Sequence, residues 1–172
     1  MDELTRLALA AAEGDRIALH GLVRATQVDV WRFCAHLGDR SMADDLTQET
    51  YVRALRALPS FRGDAGARTW LLAIARRTVA DSIRSSRRRR RLGAAAPRPR
   101  SQSGPDEGVA LRAAVDDLGA DRRAAFVLTQ LLGLSYAEAA GVCGVAVGTI
   151  RSRVARARAD LVVALQEPAA SG

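Results

Sequence analysis

One stretch, LSYAEAAGVCGVAVGTIRSRVARARADLVVAL over residues 134–165, leaves the chain few ways to fold. Ser135 followed three residues later by Glu138 is a capping box, with the serine accepting a first-turn N–H and the glutamate reaching back to the cap. It predicts a short helix from about Tyr136 to Cys143. Gly144 then stands where a helix end wants a residue free to take positive φ. A second helix starts near Ala146. At 100° per residue Val147, Ile150, Val154, Ala157 and Leu161 share one side, the packed stripe. Gly148, Thr149, Ser152, Ala155 and Arg156 share the other, with Arg151, Arg153 and Arg158 on the flanks. The pattern is a helix-turn-helix. Small residues among arginines on an exposed helix suit the floor of a DNA major groove, where the backbone must come close and long side chains must reach bases and phosphates. A solvated basic helix in a bundle is the alternative.

The rest of the chain has the same 3.6-residue period, and no two-residue alternation argues for strands. Asp15 is an N-cap for a helix from Arg16 to about Ala25. A second helix runs from about Val28 to Leu37 and ends at Gly38. Ser41 caps a third, from Met42 to about Leu58, which Pro59 stops. The segment PSFRGDAGA, residues 59–67, reads as a loop that exposes Phe61, Arg62 and Asp64. A fourth helix starts near Arg68 or Thr69, carries Trp70, Leu71, Ile74, Val79 and Ile83 inward, and runs into the block Arg87–Arg91. Residues 92–108, LGAAAPRPRSQSGPDEG, are linker by composition, and 17 extended residues reach about 60 Å. Helices over Val109–Leu118 and Arg122–Leu132 then lead into the helix-turn-helix. The expected architecture is all-α, with two small helical domains, 1–91 and 109–172, joined by a flexible linker over 92–108.

Charge narrows the class of partner. The formal net charge is +7, and all 26 basic residues are arginine. A polyanion is the natural counterpart, although the complete absence of lysine also points to a GC-rich genome and dilutes the arginine signal. Between Ser82 and Pro105 eight arginines occur with no acid, which reads as a basic helix end followed by an arm. Cys34 and Cys143 match no metal spacing and fall on buried helix faces as core thiols. His20 and His36 lack companions at ligand spacing. No metal, cofactor or catalytic residue is expected. No signal peptide or membrane-length apolar run is visible, so a cytoplasmic protein is expected.

Two further stretches carry chemistry. The third helix displays Asp45, Glu49 and Arg53 at four-residue steps beside Gln48. This is either a ladder of exposed ion pairs or a polar docking face. Asp44 and Asp45 diverge on the helix, which argues against a nuclease metal site with Glu49. The loop from Phe61 to Arg68 mixes an aromatic, arginines and glycines, which suits either an ordinary connection or the capture of an unstacked base.

Three stretches together resemble one family in order. DDLTQETYVRAL is similar to the core-polymerase-binding helix of sigma factors, FRGDAGARTWLLAIARRTVADSIR to their −10 region, and LGLSYAEAAGVCGVAVGTIRSRVARAR to their −35 helix-turn-helix. Over about residues 8 to 165 the chain resembles the extracytoplasmic-function (ECF) subfamily of sigma-70-type factors. The resemblance implies that Asp45, Gln48, Glu49 and Arg53 meet the β′ clamp helices of core RNA polymerase, with the β flap a further contact. It assigns Phe61, Arg62, Gly63, Asp64, Arg68, Arg77 and Arg84 to the −10 element, and Thr149, Arg151, Ser152, Arg153 and Arg156 to the −35 element of promoter DNA. The linker resembles a segment that threads through polymerase. An anti-sigma factor is a partner the resemblance leaves open. Arg77 departs from the family, which often has Asn there, and Ala146 stands where Pro is common. Two rival readings are a free-standing helix-turn-helix regulator, which leaves DDLTQET unexplained, and a resolvase or nuclease, which lacks a nucleophile or metal cluster.

Overall fold

The computed structural model describes residues 1–92 and 107–166, and among them every regular element is helical. The order is α1 (Glu3–Ala12), α2 (Arg16–Leu37), a 3-10 turn (Arg40–Met42), α3 (Ala43–Ala57), a second 3-10 turn (Leu58–Ser60), α4 (Ala67–Arg91), α5 (Glu107–Asp117), α6 (Ala120–Phe126), a π turn (Val127–Leu131), α7 (Tyr136–Cys143) and α8 (Val147–Gln166). The expected linker lies outside the described residues except at its ends.

Local chemistry explains most of these elements. Asp15 caps α2 as expected, accepting from the N–H groups of Ile17 and Ala18. The helix does not break near residue 26, however. Its apolar period lapses at Thr26 and Gln27, but Thr26 is buried and its hydroxyl donates to the Leu22 carbonyl at 2.7 Å. That bond satisfies the threonine within the helix, so the two expected helices are one of 22 residues. Gly38 ends it with extended backbone, and a Cβ there would lie 2.8 Å from Leu46 Cδ1 and 3.0 Å from the Cys34 carbonyl oxygen. Ser41 does not cap α3. Asp39 accepts from Ser41 N–H and caps the 3-10 turn that precedes it. The expected helix over Arg122–Leu132 ends in a π turn, closed by Leu132 N–H donating to the Val127 carbonyl.

No helix is expected before Asp15 from the sequence pattern. α1 nevertheless forms, capped by Asp2 on Thr5 N–H. It packs on α2 and α4 through a cluster holding Ala8, Ala11, Ala18, Leu22, Leu58, Phe61 and Ala67.

The two helical units, α1–α4 and α5–α8, rest against each other. One buried cluster runs from Val30, Phe33 and Leu72 through Val127, Leu128 and Ile150 to Leu161. α7 crosses α4 closely enough that a Cβ on Gly141 would stand 3.1 Å from Thr69 Cγ2. Cys34 and Cys143 sit inside this core, and burial pushes the Cys34 thiol up to about 11 and the Cys143 thiol upward. Both stay protonated and unreactive near neutrality.

Candidate functional site

Three surfaces gather the chemistry. The first is on α3, whose inner face is Ala43, Leu46, Thr50 and Ala54. Asp45, Gln48 and Glu49 project outward and are exposed. Asp44 beside them is occupied, accepting from Trp31 Nε1 at 2.8 Å while the Arg40 guanidinium lies 5.5 Å over the indole ring. Arg53 is also committed. Its Nε donates to Glu49 at 2.7 Å and its Nη1 to Asp81 of α4 at 2.6 Å. The Glu49 bond first, then Asp81, holds the guanidinium above its ordinary pKa, and Arg53 holds the Asp81 carboxyl below its own. Arg84 binds the other Asp81 oxygen. Glu49, Arg53, Asp81 and Arg84 thus lash α3 to α4, and this ladder leaves Asp45 and Gln48 unengaged by it.

The second surface is the loop ahead of α4. Phe61 does not point to solvent as expected. It is 6% exposed, and its ring lies 4.9 Å from that of Trp70, tilted by 46°. The apolar side chains of α1 cover it, a layer absent from the sequence reading. Arg62 and Asp64 are exposed on either side of Gly63, whose φ is +78°. Arg68 is partly buried, donating from Nε to Asp29 at 2.8 Å and from Nη2 to the Leu132 carbonyl at 2.6 Å. It therefore lies on the seam between the two units. Further along α4, on the side of the helix roughly opposite Arg68, Arg77 and Arg84 are exposed.

The helix-turn-helix is the third. Ser135 and Glu138 form both halves of the capping box, and Gly144 takes φ 66° and ψ 38°. In α8 the buried stripe is Ile150, Val154, Ala157 and Leu161. Val147, the first residue of the helix, departs from it and is 39% exposed. Arg151, Ser152 and Arg156 face outward, and Thr149 is half-buried. Arg153 turns inward, donating to Asp121 at 2.7 Å, and Arg76 of α4 approaches the same carboxylate at 3.9 Å. Arg158 donates to the Gln130 side chain.

The arrangement separates a polar, partly acidic helix face from two arginine-bearing surfaces, one a helix and one a loop. Asp29, Asp81 and Asp121, the acids that engage Arg68, Arg53 and Arg153, carry no signal in the sequence. Each lies 28 or more residues from its arginine, so no helical spacing links them. α1 is also unexpected, although the Asp2 cap and the spacing of Leu4, Ala8 and Ala11 make a readable cap and stripe. Among the described residues no group of three or more metal-ligating side chains occurs, and no helix is long and apolar enough to cross a membrane.

Comparison with known proteins gives these surfaces a context. The family model of Sigma-70 region 2 matches residues 22–89, and that of Sigma-70, region 4 matches residues 108–161. The chain is 53% identical to the "Probable RNA polymerase sigma-C factor" of Mycobacterium bovis, across 97% of this chain and 93% of that one. It is 42% identical to the "ECF RNA polymerase sigma factor EcfG" of Rhodopseudomonas palustris, across 72% and 71%. Among solved structures, the sigma factor RpoE bound to the anti-sigma factor NepR from Bartonella quintana aligns with TM-score 0.72 at 29% identity, over 87% of this chain and 97% of that one. CnrH in complex with the cytosolic domain of CnrY aligns with TM-score 0.74, also at 29%, over 95% and 97%. The chain belongs to the ECF subfamily of sigma-70-type factors, which initiate promoter-specific transcription.

Proposed function

We propose that this chain docks on core RNA polymerase through α3 and divides promoter reading between its other two surfaces. The observation that carries the docking is the α3 face. Asp45, Gln48 and Glu49 are exposed on a helix whose opposite side is buried and whose neighbour Asp44 is already bonded. Asp45 and Gln48, held on a rigid helix outside the ladder that ties Glu49 to Arg53, suit a complementary partner surface, with Glu49 exposed beside them. α8 lies in the −35 major groove, with Arg151, Ser152 and Arg156 toward the bases and Thr149 beside them. Arg153 positions the helix through Asp121. The loop 61–66 receives an unpaired −10 base between Arg62 and Asp64, with Phe61 as the buried footing of the loop rather than a stacking platform. Arg77 and Arg84 continue that surface along α4 toward the strand phosphates. Arg68 joins it once its bonds to Asp29 and to the Leu132 carbonyl are released. Bond formation belongs to the polymerase, and the factor acts beside it in the cytoplasm. The two solved relatives are bound to an anti-sigma factor and to a cytosolic domain, respectively, which supports an inhibitory protein as a further partner.

The test is co-purification with core polymerase. Asp45→Arg with Glu49→Arg abolishes it. Helical content and unfolding midpoint stay close to the parent, because exposed positions and surface ion pairs contribute about 1 kcal/mol or less. Undiminished polymerase binding by the double variant removes α3 as the docking face.

A further inference from the structure

We propose that Thr5 is a positioning residue for promoter reading, acting from α1, which lies outside the region 2 match. The inference rests on the assignment of the loop 61–66 to the −10 element. α4 starts at Gly66 and Ala67 without a side chain of its own to cap it. Such a start leaves its first backbone N–H groups in need of acceptors. Ala67 N–H finds one in Thr5 Oγ1 at 3.0 Å, 62 residues away in sequence. The Thr5 hydroxyl donates in turn to Asp2 Oδ2 at 2.7 Å, and Thr5 N–H donates to Asp2 Oδ1 at 3.0 Å. A hydroxyl whose proton is held by a carboxylate is polarised into a better acceptor. Thr5 is 2% exposed, so water does not compete for the bond.

The same face of α1 supports the rest of the loop. A Cβ on Gly63 would lie 3.5 Å from both Leu9 Cδ1 and Thr5 Cγ2, and one on Gly66 would lie 3.6 Å from Asp2 Oδ2. Phe61 sits in the cluster that α1 completes. The loop is thus fastened at both ends: at Phe61 by apolar contact and at Ala67 by the hydrogen bond. Arg62 and Asp64 project from the span between. With both ends fixed these side chains keep one register, and a reading site gains its selectivity from such preorganisation. Thr5 touches no DNA in this account. It sets where the loop presents its side chains.

The experiment uses the full chain in reconstituted holoenzyme, transcribing duplex templates with single-base changes in the −10 or −35 element. The readout is the ratio between matched and changed templates. A general loss of folded factor lowers output on all templates alike and leaves that ratio unmoved. Thr5→Val keeps the shape and removes the acceptor; it lowers −10 discrimination about three- to tenfold, the effect of one lost hydrogen bond, with −35 discrimination unchanged. Thr5→Ser restores the acceptor and the ratio. Asp2→Ala, at an exposed position, shifts the −10 ratio in the same direction by less. Equal behaviour of Thr5→Val and Thr5→Ser overturns the proposal, as does reduced output with an unmoved −10 ratio. Arg62→Ala with Asp64→Ala separates the two levels. If that variant shifts the −10 ratio while Thr5→Val does not, Thr5 has no positioning role and the loop assignment stands. If it too leaves the −10 ratio unmoved, the loop assignment fails and this inference fails with it.

Discussion

The helix-turn-helix and the loop ahead of α4 are both arginine-bearing surfaces, yet they are built in opposite ways. The first is assembled from its own sequence. Ser135 and Glu138 cap α7 within four residues, Gly144 turns the chain, and a stripe inside α8 buries one side and so exposes the other. The second is assembled from afar. Its aromatic is covered by α1 and Trp70, its helix is capped by Thr5, and Arg68 is held by Asp29 and by a carbonyl of the other unit. A locally built surface keeps its form when distant contacts change. A surface built by remote contacts can be reshaped by any of them.

The contrast can be broken most forcefully at Phe61. Phe61→Ala empties a buried ring position and costs about 3–5 kcal/mol of unfolding free energy, read in a denaturant titration. An effect within about 0.5 kcal/mol would mean that the ring is not the footing of the loop. A smaller change sharpens the other side. Arg156→Ala relaxes −35 preference at one base by about 1–3 kcal/mol in duplex competition binding of the holoenzyme, while the unfolding midpoint holds. Ser135→Ala removes half of the local capping box and costs about 1 kcal/mol in stability.

The least effect is one of pH. Bonds from the Ser135 hydroxyl first, then from its N–H, hold the Glu138 carboxyl below its ordinary 4.5. A carboxylate depressed in the folded state stabilises it above the unfolded pKa and loses that contribution as pH falls through the folded value. The stability difference between the parent and Glu138→Gln is therefore present at neutral pH, shrinks below about 4.5 and vanishes at lower pH, as unfolding titrations across that range will read.

The same contrast sets what could be read from sequence alone. The capping box, Gly144 and the outward set Arg151, Ser152 and Arg156 were legible because a helix repeats every 3.6 residues and its cap is local. The exposed Asp45, Gln48 and Glu49 were legible for the same reason. Phe61 was misread because a short loop carries no period, and what covers it is a helix some 50 residues earlier. The inward turn of Arg153 was hidden because its acid, Asp121, is 32 residues away. Thr26 misled in the other direction, since a buried threonine that bonds back to its own helix looks polar in sequence and behaves as core.

The division of promoter reading is the central claim, and holoenzyme transcription on paired templates tests it most directly. One set is fully duplex and the other is pre-melted at −10, each with single-base changes in one element. Arg156→Ala shifts preference at a −35 position and leaves opening of the duplex −10 intact. Arg62→Ala with Asp64→Ala shifts preference at −10 and slows opening, and the pre-melted template restores the opening but not the preference. Both variants shifting preference at the same element would contradict the account.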